Sequence, residues 1–112
     1  MKVEKPWGHE IRWAINEKYL GKILHINKGH RLSKQYHEIK DETIYVLSGK
    51  LKLILGPKDI EIHLPAGSAY RIKPKEIHRF CAAFDTDVEL IEVSTPEIDD
   101  VIRLEDDYKR GN

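Results

Sequence analysis

The 112-residue chain is predicted to be all-β: one small barrel or sandwich spanning residues 1–112. Two observations predict it. Apolar and polar residues alternate along several short runs, the period of a half-buried strand. Clusters of Gly, Pro, Asn and Asp interrupt those runs about every eight to twelve residues. A hydrophobic fraction of 40% beside 34% charged residues suits one globular core, and 112 residues are too few for two.

The elements follow in order. KPWGHEIRW places Pro6 and Gly8 around Trp7, a turn leading into an edge strand at Ile11 and Trp13, both tryptophans being expected to cover the core. YLGKILHI, residues 19–26, is extended and ends in the turn Asn27–Lys28–Gly29. Residues 31–37 and 43–48 read as two strands of a hairpin whose turn is EIKDE. KLKLIL and IEIHL form a second hairpin across GPKD, with Leu51, Leu53 and Leu55 inward on one strand and Ile60, Ile62 and Leu64 on the other. SAYRI, IHRFCAAF and VELIEV supply the remaining strands, the last with Val88, Leu90 and Glu92 on one side. Pro96 at a first helical position, followed by Ile98, Val101 and Ile102, predicts a short C-terminal helix or an irregular arm across the barrel.

Composition removes several classes of function. Lys plus Arg and Asp plus Glu number 19 each, so the overall field attracts neither nucleic acid nor an anionic membrane. No apolar run is long enough to span a bilayer, and MKVEKPWGHE lacks a secretory leader's apolar stretch, which predicts a cytoplasmic protein. The single cysteine, Cys81, excludes an internal disulfide and a cysteine-rich zinc module, and its neighbours Phe80 and Ala82 predict a buried thiol.

Histidine and carboxylate are therefore the available metal chemistry. Side chains two apart share one face of a strand, so Gln35 and His37 point together. Glu42 returns across a short turn, and His78 arrives on a later strand of the same barrel. Two imidazoles, a carboxylate and an amide oxygen suit zinc, iron, manganese, cobalt or nickel better than calcium. On chemistry alone, two histidines and one carboxylate also fit an iron-dependent oxygenase.

The span Gly29 to Gly49, GHRLSKQYHEIKDETIYVLSG, resembles the first motif of the cupin superfamily, with Gln35 where many members carry histidine. KPKEIHRF resembles the second motif, with Pro74 and His78 in place and Lys75 at the usual glycine position. KPWG, LSKQYH, IHRF, VELIEV and IRLEDDY extend the resemblance, through nearly the whole chain, to the cupin part of type II mannose-6-phosphate isomerases, often fused to a mannose-1-phosphate guanylyltransferase. The chain departs from that group at EIKDE, where a basic, histidine-rich run is usual, and the nucleotidyl-transfer domain is absent from this sequence.

The resemblance implies a cupin jelly roll that binds one divalent metal, zinc first, through Gln35, His37, Glu42 and His78. It implies a sugar or sugar-phosphate ligand and an aldose–ketose isomerase. The alternative is a non-catalytic, metal-dependent sugar-binding or sensory cupin. Isomerisation needs a general base, for which the sequence offers Glu76, Lys73 and His30 without choosing among them. A phosphate needs cations, for which it offers Arg31, Lys34, Arg71 and Arg79, the last preferred because it adjoins His78. A homodimer paired through an outer sheet is also expected.

Overall fold

The computed structural model describes residues 1–111. It folds as β1 (Lys2–Lys5), β2 (Gly8–Ile15), β3 (Leu20–Ile26), β4 (Lys34–Tyr36), β5 (Glu42–Ser48), β6 (Lys50–Leu55), β7 (Ile60–Pro65), β8 (Ala69–Ile72), β9 (His78–Cys81), β10 (Val88–Ser94) and β11 (Ile102–Glu105). These make a six-stranded sheet ordered β1-β2-β3-β10-β5-β8 and a five-stranded sheet ordered β11-β4-β9-β6-β7. All pairings are antiparallel.

Alternation explains how the two sheets close on each other. Val88, Leu90 and Glu92 are buried on β10 while Glu89, Ile91 and Val93 turn outward. Ile44 and Val46 on β5, Leu51 and Leu53 on β6 and Phe80 on β9 meet them in a core to which Trp7 also belongs. Removing this apolar surface from water drives the closure, at about 25 cal/mol per Å² buried. Cys81 is buried, as its neighbours predict. The second expected hairpin is present with Leu53 opposite Ile62, although Ile60, beside its turn, is 62% exposed and not inward.

Three expectations are corrected, and of the two readings after Pro96 the arm is the one found. β4 and β5 do not form a hairpin: β4 pairs with β9 and β11 and β5 with β10 and β8, so EIKDE carries the chain from one sheet to the other. The strand after Trp7 is not an edge, because β1 pairs outside it. Trp13 is 54% exposed and lies across Gly21 on the outer face, where a Cβ on that glycine would sit 2.5 Å from the indole. After Pro96 the chain is an irregular arm ending in β11, and no helix occurs among the described residues. Ile98 and Val101 face the cavity between the sheets and Ile102 and Arg103 pair with β4, so backbone pairing to an open sheet edge overrides the apolar spacing.

Candidate metal centre

The change of sheet at EIKDE builds the site. His37 ends the run that follows β4, Glu42 begins β5 in the opposite sheet, and His78 begins β9, whose register sets it beside Gln35. Ligand atoms of His37, Glu42 and His78 all lie within 4.8 Å of one another, and all three residues are buried. Gln35, His37 and Glu42 line a cavity of about 340 Å³ between the sheets.

Backbone carbonyls orient both rings. His37 Nδ1 donates to the carbonyl of Asp100 at 2.5 Å, and His78 Nδ1 donates to that of Glu76 at 2.9 Å. With Nδ1 carrying the proton, a neutral imidazole presents a lone pair at Nε2. The two Nε2 atoms face Glu42 Oε1 at 3.4 and 3.3 Å, and neither has a hydrogen-bond partner. Lone pairs that face a buried carboxylate call for a cation among them, and a carbonyl on the far ring nitrogen is the usual support of a metal-binding histidine. The donor set thus fits a divalent ion. Gln35 is held by the Ser33 hydroxyl, which donates to its Oε1 at 2.6 Å.

The arm is part of this construction. Besides its carbonyl, Asp100 offers its carboxylate to the amides of Glu38, Ile39 and Lys40 at 3.0, 2.8 and 2.9 Å. Burial pushes the Asp100 carboxyl up, but these three donors and His37 bring it below its ordinary value.

Charge balance extends into the wall. Burial opposes ionisation of Glu42, yet His37, His78 and Lys40 hold it well below the ordinary carboxylate range. Lys40 lies 3.5 Å from Glu42 and 2.9 Å from Glu92, and these two carboxylates outweigh burial and raise its pKa. Burial first, and then the charge of Glu42, raise Glu92.

The other candidate residues lie outside the cavity. Arg79 is buried but donates to the Leu32 carbonyl and to Asp107. Arg31 also engages Asp107, Lys34 engages Asp59 and Glu105, and Arg71 engages Asp41. Of the candidate bases, Glu76 accepts from the Lys73 amide and His30 meets the Tyr108 hydroxyl. The sequence reading passed over Glu10, Arg12, Lys22, Lys40 and Glu92, all of which line the cavity. One signal was available: Lys22 shares the inward face of β3 with Leu20, Leu24 and Ile26, and Glu92 shares that of β10 with Val88 and Leu90.

The chain is 32% identical over 116 residues to "Mannose-1-phosphate guanylyltransferase 2" of Escherichia coli O157:H7, covering 96% of this chain and 22% of that protein. It therefore spans about a fifth of that relative. Among solved structures, KdgF from Halomonas sp. superposes with a TM-score of 0.77 at 19% identity, covering 88% of each chain. A sugar phosphate isomerase of the cupin superfamily from Silicibacter pomeroyi superposes with a TM-score of 0.69 at 18% identity, covering 78% of this chain and 58% of the other. At these identities the superpositions speak to the fold. With residues 22–94 matching the family described as "Cupin domain", the chain belongs to the cupin family.

Proposed function

We propose that this cupin is a metal-dependent aldose–ketose isomerase acting on a sugar phosphate of the mannose 6-phosphate type. The observation that carries the reading is the pair of imidazoles, each fixed at Nδ1 by a carbonyl and gathered with Glu42, beside a charge-rich cavity that His37 and Glu42 line. The names of the guanylyltransferase relative and of the sugar phosphate isomerase support a phosphorylated sugar as substrate.

In this reading Gln35, His37, Glu42 and His78 hold one divalent ion, zinc first among those the donors suit. When bound, that ion supplies Lewis acidity toward adjacent hydroxyl and carbonyl oxygens of the sugar. The chain must itself move a proton between neighbouring carbons. Glu10 is engaged by three cations and Asp100 by three amides. Glu92, buried in the cavity wall beside Lys40, is the carboxylate assigned to the proton transfer. The apolar surround of Trp7, Leu24, Leu32 and Phe80 keeps bulk water from the reacting carbons.

A second copy of the chain is the proposed partner. The outer face of the six-stranded sheet carries Ile11, Ile23, Ile91 and Tyr45 in one cross-strand row, flanked by exposed Trp13 and Val93, and such an apolar face suits a symmetric pair.

Protein supplied with zinc, manganese or iron should interconvert mannose 6-phosphate and fructose 6-phosphate. Elemental analysis should find one equivalent of metal, lost in His37→Ala and Glu42→Gln. Absence of turnover with all three ions overturns the isomerase. Undiminished metal in both variants overturns the ligand set. A saturable sugar without turnover identifies a binding module, and oxygen uptake with an organic substrate identifies an oxygenase.

A further inference from the structure

The part of the cavity walled by β2 and β3 is cationic. Lys5, Arg12, Lys22 and Arg110 all line it, and Lys22 is buried. Three carboxylates partner them, Glu92 standing opposite Lys22. Glu10, also buried, lies 2.8 Å from Arg12, 3.5 Å from Lys22 and 3.9 Å from Lys5, while Asp106 accepts from Arg110 at 2.9 Å. With Arg103, which lines the cavity near Arg110 and Asp106, five cations stand against three carboxylates, an excess of two positive charges in this part of the cavity. The crowding acts on Lys5: burial lowers its pKa, Glu10 opposes, and Arg12, Lys22 and Arg110 lower it further. An excess of this kind is costly in a low-dielectric site unless an anion joins it.

Register relates this cluster to the metal centre. Arg12 stands opposite Lys22, Lys22 opposite Glu92, and Glu92 opposite Ile44, two residues from Glu42 on the same face of β5. Lys22 is thus two strands away from the strand of Glu42, which at the usual interstrand spacing is roughly 10 Å. A ligand bound at both ends therefore lies across β10 at Glu92, the residue assigned above to the proton transfer.

We infer that Arg12 and Lys22, supported by Lys5 and Arg110, seat the phosphoryl group of the substrate, leaving its carbonyl end toward Gln35, His37 and Glu42. The assignment rests on the sugar-phosphate reading above and replaces the four cations that the sequence offered for this role. A phosphate dianion matches the excess charge, and a guanidinium beside an ammonium is a suitable donor pair for its oxygens.

Calorimetric titration of the full chain tests this, with and without zinc, using fructose 6-phosphate, fructose, glucuronate and inorganic phosphate. Fructose 6-phosphate should bind at least tenfold more tightly than fructose, inorganic phosphate should compete, and the metal-free protein should retain the phosphate-dependent part. Arg12→Gln and Lys22→Gln should each weaken fructose 6-phosphate at least tenfold, with thermal melts confirming the fold. Lys18→Gln and Lys58→Gln, exposed and outside the cavity, should bind as the parent does. Because the anion competition is read on the parent protein, the test stands even if a cavity variant fails to fold. Equal binding of fructose and fructose 6-phosphate, or equally tight binding of glucuronate, overturns the assignment. Phosphate-dependent binding without turnover supports this site while ending the isomerase reading; turnover indifferent to the phosphate does the reverse.

Discussion

His37 Nδ1 donates to the carbonyl oxygen of Asp100 at 2.5 Å, joining residues 63 positions apart. The same aspartate holds the amides of residues 38–40 with its carboxylate, so one arm residue fixes a candidate ligand and the loop leading to Glu42. Asp100→Ala removes the carboxylate and leaves three amides to find water. It should cost on the order of 1–3 kcal/mol of stability and weaken zinc binding about 10- to 100-fold. Thermal melts and a competitive zinc chelator measure the two effects, and an unchanged zinc affinity refutes the link between arm and site.

Lys75 occupies the left-handed region at φ 68° and donates its amide to the His37 carbonyl at 2.6 Å. A lysine there carries Cβ strain that glycine lacks, partly offset by the greater freedom of glycine in the unfolded chain. Lys75→Gly should raise stability by roughly 0.5–1 kcal/mol, while Lys75→Ala, which keeps the Cβ, should not. Denaturant unfolding of the three proteins decides it; equal gains for Gly and Ala would place the cost in the lysine side chain instead.

His25 bridges Glu89 and Asp87 at 3.0 and 2.9 Å across the outer sheet. The Glu89 hydrogen bond is the main cause of its raised pKa, with burial opposing and Asp87 assisting. A raised folded-state value favours the native protein where the ring is charged. The contribution is present in full below the unfolded histidine value of about 6.5 and disappears as pH rises through the higher folded value. The stability advantage over His25→Gln should therefore be larger at acidic than at alkaline pH. A pH series of urea midpoints tests this, and a constant difference contradicts it.

Trp13 is 54% and Tyr45 44% exposed on the outer sheet. If that face pairs two copies, Trp13→Glu and Tyr45→Glu should convert a dimer into a monomer while leaving the far-ultraviolet circular dichroism unchanged. Light scattering coupled to size exclusion gives the mass directly. A monomeric parent, or dimers unaffected by both charges, rules this interface out.

Local chemistry made most of the strands legible, because a half-buried strand writes its two faces into alternate positions, as Val88, Leu90 and Glu92 do against Glu89, Ile91 and Val93. The gathering of His37, Glu42 and His78 was legible as well, through spacing and motif resemblance. Partnership was not legible. Whether β4 pairs with β5 or with β9, and whether residues after Pro96 coil into a helix or join a sheet edge, depends on edges that exist only once the sheets have formed. The same holds for charge. Arg79 beside His78 and Lys22 within an apolar strand look alike as single letters, yet one is directed to Asp107 and the other to Glu10 and the cavity. The sequence by itself determined the strands and which side chains could ligate a metal, since these follow from short-range periodicity and residue type. Only the tertiary structure decided which cations share a cavity with those ligands, because a side chain's electrostatic neighbours are set by strand order, and strand order by the packing of the whole core.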